Sequence, residues 1–187
     1  MGTDKALLEV GGRTLLLRAV DLVREAGGDP IVIGPPRPPA ALGGARQADE
    51  AWGAAGQGGP LPALRHGLAL CGAGQAALAL ACDVPLVPAS FLRFLVGAVP
   101  GWDAVVPRVA GDMHVLTAAY DPGACLAVLD RALARGTRAV HAVLGDLRVR
   151  FLDAEAIAPY GGAAILLNVN TPAEKEQAES ALRERGR

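Results

Sequence analysis

Lysine occurs only twice in these 187 residues, at Lys5 and Lys175, although lysine and arginine together number 18. An excess of one charge is lacking too, since 18 basic and 19 acidic side chains leave a net charge of −1. That balance supplies no field to draw in nucleic acid or an anionic membrane, so a small-molecule partner is the better expectation. No apolar run reaches the roughly 18 residues of a membrane-spanning helix. The opening MGTDKALLEV carries an acid where a secretory leader is basic and then apolar, which predicts a cytoplasmic protein. Cys71, Cys82 and Cys125 are odd in number, widely spaced and without a CxxC pair, so neither a disulfide framework nor a zinc site is expected. Buried free thiols are. His66, His114 and His141 likewise form no ligand pattern.

What remains is a chain of the right length for one α/β domain over residues 1–187, with one site to look for. Apolar runs bounded by Gly, Pro and Asp alternate with amphipathic stretches, the pattern of a mostly parallel sheet with crossover helices. Strands are predicted at Pro30–Gly34, Ala77–Cys82, Ala104–Arg108, Val115–Tyr120, Arg148–Leu152 and Ala163–Leu167. Helices are predicted over Thr14–Ala26, where Leu16, Val20 and Val23 share a side, and near Leu61–Cys71, Pro88–Val99, Pro122–Arg135 and Arg138–Leu144. A last helix starts at Thr171-Pro-Ala-Glu174, a capping box with proline at the first helical position. Pro35–Gly59 is too long and too rich in Pro and Gly for a routine connection, and is expected to be functional or mobile.

Four segments carry candidate chemistry. In Ala81-Cys-Asp-Val-Pro85, Asp83 follows a buried strand, at the end of a parallel sheet where open α/β folds place ligands. It can hold Mg²⁺, or merely cap a turn. In Gly2-Thr-Asp-Lys-Ala-Leu-Leu8, Lys5 is either an inconsequential surface lysine or a compact ammonium for a nucleotide phosphate. Gly58-Gly-Pro-Leu-Pro62 is a turn, or leads into a helix whose backbone N–H groups approach an anion or a base edge. In Leu167-Asn-Val-Asn-Thr-Pro-Ala-Glu174, alternation aims Asn168 and Asn170 to one face and Val169 to the other. The two amides can hold a polar ligand or satisfy a strand-to-helix turn.

Together, in this order and at these intervals, the segments resemble the molybdenum cofactor guanylyltransferases. MGTDKALLEVGG resembles the latter half of that family's LAGGxSxRMGxDKALLxxxG signature, and GGPLPAL, LACDVPLV and LNVNTPAE its later segments. DKALL and NVNTP are the specific parts, while xCDxP is shared with cytidylyltransferase relatives. The resemblance implies a Rossmann-like, three-layer α/β/α fold and a Mg²⁺-dependent enzyme that joins GMP from GTP to the terminal phosphate of molybdopterin cofactor. By position it implies Lys5 on the GTP phosphates, Asp83 on Mg²⁺, Asp49 at the guanine side, and Asn168 and Asn170 facing the pterin. Transient contacts with other molybdenum cofactor biosynthesis proteins are implied as well. A cytidylyltransferase on the same pterin and a non-catalytic cofactor-binding relative are the alternatives. Asp112–Tyr120 resembles the family's HPLxALY stretch, with Val115 where a proline is expected. Met1 falls on the methionine of the family's RMG, so LAGGxSxR and the strand before it have no counterpart here. The expectation is that an extension of roughly 15–20 residues, a strand plus a Gly-rich loop, restores stability and GTP binding together.

Overall fold

The computed structural model describes residues 4–48, 59–72 and 74–185. Its centre is the pair β6 (Ala104–Val109) and β8 (Thr117–Tyr120), joined through the short β7 (Asp112–Met113). The β6–β7 turn needs Ala110 and Gly111 at positive φ, 52° and 94°. So tight a connection can only reverse the chain, which makes β8 antiparallel to β6. β5 (Ala77–Leu80) pairs antiparallel with the other side of β8, and β9 (Val149–Leu152) pairs parallel with β6. A separate parallel pair is formed by β3 (Ile31–Ile33) and β4 (Arg46–Ala48). The three-layer α/β architecture is as expected. The predominance of parallel pairing is not, because β6 reaches β8 by a hairpin and not by a crossover helix.

Alternation along the strands separates the two faces of the sheet. Ala104, Val106, Ala118 and Tyr120 pack under α2 (Pro60–Ala69), α4 (Pro122–Ala134) and a 3-10 turn at Val140–Asp146. Val105 and Ala119 pack on the other face with Phe91, Leu92 and Leu95 of α3 (Ala89–Gly97). The first helix, α1 (Leu15–Glu25), starts at Thr14, whose side chain accepts from Leu17 N–H, and buries Leu16 and Val20. It follows a hairpin, β1 (Glu9–Val10) with β2 (Arg13–Thr14), that turns on Gly11 and Gly12 at φ 57° and 75°. After β9 come α5 (Ala154–Ile157) and, at the end, α6 (Pro172–Arg185).

Two sequence-based expectations change. Ala163–Leu167 is not a strand but lies in a 3-10 turn, Gly162–Leu166, entered through Gly161 and Gly162 at positive φ. Its consecutive buried Ile165 and Leu166 read as a short apolar run, which periodicity cannot assign to helix or strand. Arg138–Leu144 likewise tightens into the 3-10 turn Val140–Asp146. The long Pro35–Gly59 segment holds a 3-10 turn, Pro39–Leu42, and the polar strand β4, whose three residues carry no apolar signal. Of the thiols, Cys125 is buried while Cys71 and Cys82 are half-buried. Among the described residues no helix is long and apolar enough to cross a membrane.

Candidate active site

Lys5 opens a 3-10 turn, Lys5–Leu7, capped by Asp4, whose carboxylate accepts from Ala6 N–H at 3.1 Å. Asp83 lies in the turn after β5, held between the buried Val84 and the half-buried Cys82. Its carbonyl accepts from Val169 N–H at 2.8 Å, which ties this turn to the NVNTP segment. The ties bring three distant side chains together. Lys5 Nζ donates to Asp83 Oδ2 at 2.8 Å and also to Asn170 Oδ1. Neither end is sealed off, since the Lys5 and Asp83 side chains remain 39% and 24% exposed.

Asn170 is in turn fixed by the capping box. Its backbone N–H and that of Thr171 donate to Glu174 Oε2 at 2.7 and 2.8 Å, while Glu174 N–H donates to Thr171 Oγ1 at 3.2 Å. These backbone bonds hold the Glu174 carboxyl below its ordinary value, with the positive charge of Lys5 adding to them. Asn168 and Asn170 are both exposed and Val169 is buried, as alternation requires. Only Asn170 reaches Lys5, and the Asn168 side chain makes no hydrogen bond among the described residues.

Behind Lys5 stands a residue that the sequence did not single out. Arg37 grips the Asp4 carboxylate with two bonds, Nε to Oδ2 at 3.0 Å and Nη2 to Oδ1 at 3.1 Å, and its side chain is only 8% exposed. Its Nη1 donates to the Pro35 carbonyl at 3.2 Å, and its backbone N–H to Gln47 Oε1 at 3.0 Å. Gly34 makes room for it, because a β-carbon there would stand 3.0 Å from Arg37 Nη1. Arginine within PPRPP has no local signature. Only the fold reveals it as the brace of the turn that carries Lys5.

Other candidates fare differently. Burial pushes the Cys82 thiol up, with the adjacent Asp83 adding to the effect, which works against the thiolate that a nucleophilic cysteine needs. His114 sits half-buried in the β7–β8 connection, its backbone N–H donating to the Pro107 carbonyl at 2.9 Å, and burial lowers its imidazole pKa. The start of α2 is poor in anion donors. Pro60 and Pro62 have no N–H, and Leu61 N–H donates to the Arg138 carbonyl at 3.0 Å. Asp49, like Met1, lies outside the described residues.

Comparison with known proteins bears on this arrangement. Residues 1–150 match the family model described as the MobA-like NTP transferase domain. A protein of Pelotomaculum thermopropionicum named "Probable molybdenum cofactor guanylyltransferase" is 30% identical over 176 residues, covering 93% of this chain and 83% of the relative. The molybdenum cofactor guanylyltransferase of Desulfosudis oleivorans is 29% identical over 185 residues, covering 97% and 89%. The crystal structure of molybdopterin-guanine dinucleotide biosynthesis protein A from Archaeoglobus fulgidus superposes with a TM-score of 0.77 at 20% identity. That match spans 98% of this chain and 92% of the other, and establishes the shared fold.

Proposed function

We propose, from the premise that the chain belongs to the MobA-like NTP transferase family, that it transfers GMP from GTP to the terminal phosphate of molybdopterin cofactor. A phosphate oxygen of the pterin attacks the α-phosphorus, the bond to the β-phosphate breaks in line, and pyrophosphate leaves. The observation that carries this reading is the Lys5 ammonium, held between Asp83 and Asn170 at an open sheet end. It is a point charge already aimed where three separate motif segments meet. On this reading Lys5 contacts the GTP phosphates, Asn168 and Asn170 face the pterin, and Asp49 serves the guanine side.

Asp83 is the residue assigned to Mg²⁺. The donor set fits that ion. A single half-open carboxylate is present, and no group of three or more His, Cys, Asp or Glu converges among the described residues. Mg²⁺ takes one or two carboxylates together with phosphate oxygens and water, whereas a closed protein cage suits other metals. Bound there, the ion would neutralise charge on the reacting phosphates. The chain's own part is positioning. Arg37 fixes Asp4, Asp4 caps the turn that presents Lys5, and Glu174 holds the Asn170 backbone. Residues 1–187 act as one domain in this reading, in the cytoplasm, with transient contacts to other cofactor-biosynthesis proteins.

The test is pyrophosphate release in the presence of molybdopterin cofactor, Mg²⁺ and either GTP or CTP. GTP-dependent release is expected. Faster release with CTP makes the protein a cytidylyltransferase, and pterin binding without release makes it a non-catalytic relative.

A further inference from the structure

The helix layer stops short of the carboxyl end of β6. On the face covered by α2, α4 and the Val140–Asp146 turn, Ala104 and Val106 are fully buried, whereas Arg108, next on that side, is exposed. In β9 the same step leads from Val149, half-buried against that layer, to Phe151, which is 37% exposed. Met113 of β7, the register partner of Arg108, is 38% exposed. Phe151 pairs with Val106, so Arg108 stands diagonally across from it on the neighbouring strand. The Arg108 guanidinium lies over the Phe151 ring, 4.6 Å from its centroid. Among the described residues it reaches no carboxylate, unlike Arg13, Arg37, Arg65, Arg135 and Arg148.

This ledge lies at the same end of the sheet as Asp83. β5 and β6 both pair antiparallel with β8 and therefore run the same way, with Ala77 and Ala104 both opposite Tyr120. Counting up from there puts Arg108 level with Ala81, just below Asp83, with β8 between the two strands. Strand spacing and rise then separate Arg108 from Asp83 by roughly 10–15 Å. The guanidinium has the Phe151 ring against one flat side, and the exposure of Arg108 leaves the other side open.

We propose, resting on the transferase reading above, that Arg108 backed by Phe151 and flanked by Met113 is the platform on which the pterin ring of the acceptor stacks. A guanidinium is planar and stacks face to face on a flat heterocycle, which the point charge of a lysine cannot do. Phe151 holds that plane in place beforehand, so less side-chain freedom is lost when the ring arrives. Met113 adds a soft, adaptable thioether beside it. The separation from Asp83 suits the acceptor. Its terminal phosphate must meet the α-phosphorus of GTP, while its pterin lies beyond a methylene and a fused pyran ring. Guanine carries the same aminopyrimidinone ring as pterin, so the two ligands are tested separately.

The experiment measures equilibrium binding to the full chain, without turnover. The probes are pterin carrying a phosphomethyl arm, followed by its fluorescence, and GTP with Mg²⁺, followed by calorimetry. Arg108→Lys keeps the charge and removes the plane, and Phe151→Leu keeps an apolar side chain and removes the ring beneath it. Each should weaken the pterin probe about tenfold and leave GTP affinity within about twofold. Phe151→Tyr, which restores a ring, should bind the probe as the wild type does. Unchanged pterin affinity in Arg108→Lys, or a wild type that does not bind the probe, overturns the proposal and returns the pair to ordinary cross-strand packing. Loss of GTP affinity with pterin unaffected also overturns it, because the ledge then takes guanine. So does an equal loss of both ligands, which marks a general disturbance of the fold. The transferase reading fails separately, if the wild type binds the probe as expected but releases no pyrophosphate from GTP and molybdopterin cofactor.

Discussion

Lys5 Nζ lies 2.8 Å from Asp83 Oδ2 although the two residues stand 78 positions apart. One belongs to a capped turn near the start of the chain, the other to the turn after β5. The pair is half-exposed, so it contributes only about 0–1 kcal/mol to folding, as open ion pairs do. Its weakness is useful, because a strong pair would have to be broken before Lys5 could meet a phosphate.

Replacing Asp83 by Asn keeps the shape and removes the charge. Pyrophosphate release should fall by about two to three orders of magnitude while the thermal midpoint changes little. Steady-state kinetics beside a melting curve checks both halves, and near-normal turnover would remove Asp83 from the site.

Asn168 and Asn170 separate cleanly by contact. Asn168→Ala should raise KM for the pterin substrate and leave that for GTP alone. Asn170→Ala should disturb both, because it also removes an acceptor of Lys5. An effect of Asn168→Ala confined to GTP would reverse the assignment of the two sides.

Arg37 and Asp4 form a two-bonded pair with the guanidinium side nearly buried. Arg37→Ala leaves Asp4 without its partner and frees the turn carrying Lys5. We expect a loss of about 1–2 kcal/mol. That is more than for an open pair because the guanidinium is buried, and less than for a fully buried one because the remaining Asp4 carboxylate is 38% exposed and can be solvated. A double-mutant cycle of Arg37→Ala and Asp4→Ala, read by denaturant unfolding, should show coupling above about 0.5 kcal/mol. Additive effects would mean that the brace does not exist.

Glu174 supplies a pH dependence whose sign is fixed by its hydrogen bonds. Its carboxyl titrates lower in the folded protein than its ordinary value of 4.5, because Asn170 and Thr171 N–H groups bind the charged form. The stabilisation is therefore complete above about pH 4.5 and is lost as pH falls through the lower, folded value. Thermal midpoints of the wild type and Glu174→Gln should differ near pH 7 and converge as pH falls through the carboxyl's lowered, folded value. A constant gap across that range would show that the carboxylate charge plays no part.

Local signals carried far in this chain. The Thr171–Glu174 box needs only residues three apart, and it forms as the spacing predicts. The helix after Thr14 and the strands at Ile31–Ile33, Ala77–Leu80 and Ala104–Val109 likewise follow from runs and periodicity. Ala163–Leu167 did not, because five apolar residues fit a buried 3-10 turn as well as a strand. Strand β4 was hidden for the opposite reason, since Arg46, Gln47 and Ala48 pair through backbone groups that every residue carries.

The sequence by itself determined which side chains were worth suspecting. Lys5 stands out because lysine is scarce, Asp83 because it follows an apolar run, and Asn168 and Asn170 because they alternate around a buried valine. Only the tertiary structure decided which of them meet. It joined Asn170 and not Asn168 to Lys5, and it placed Arg37 behind Asp4. The physical reason is the range of the forces involved. Caps and periodicity act over three or four residues, whereas a salt bridge across 78 positions exists only after both segments have been packed against the same sheet.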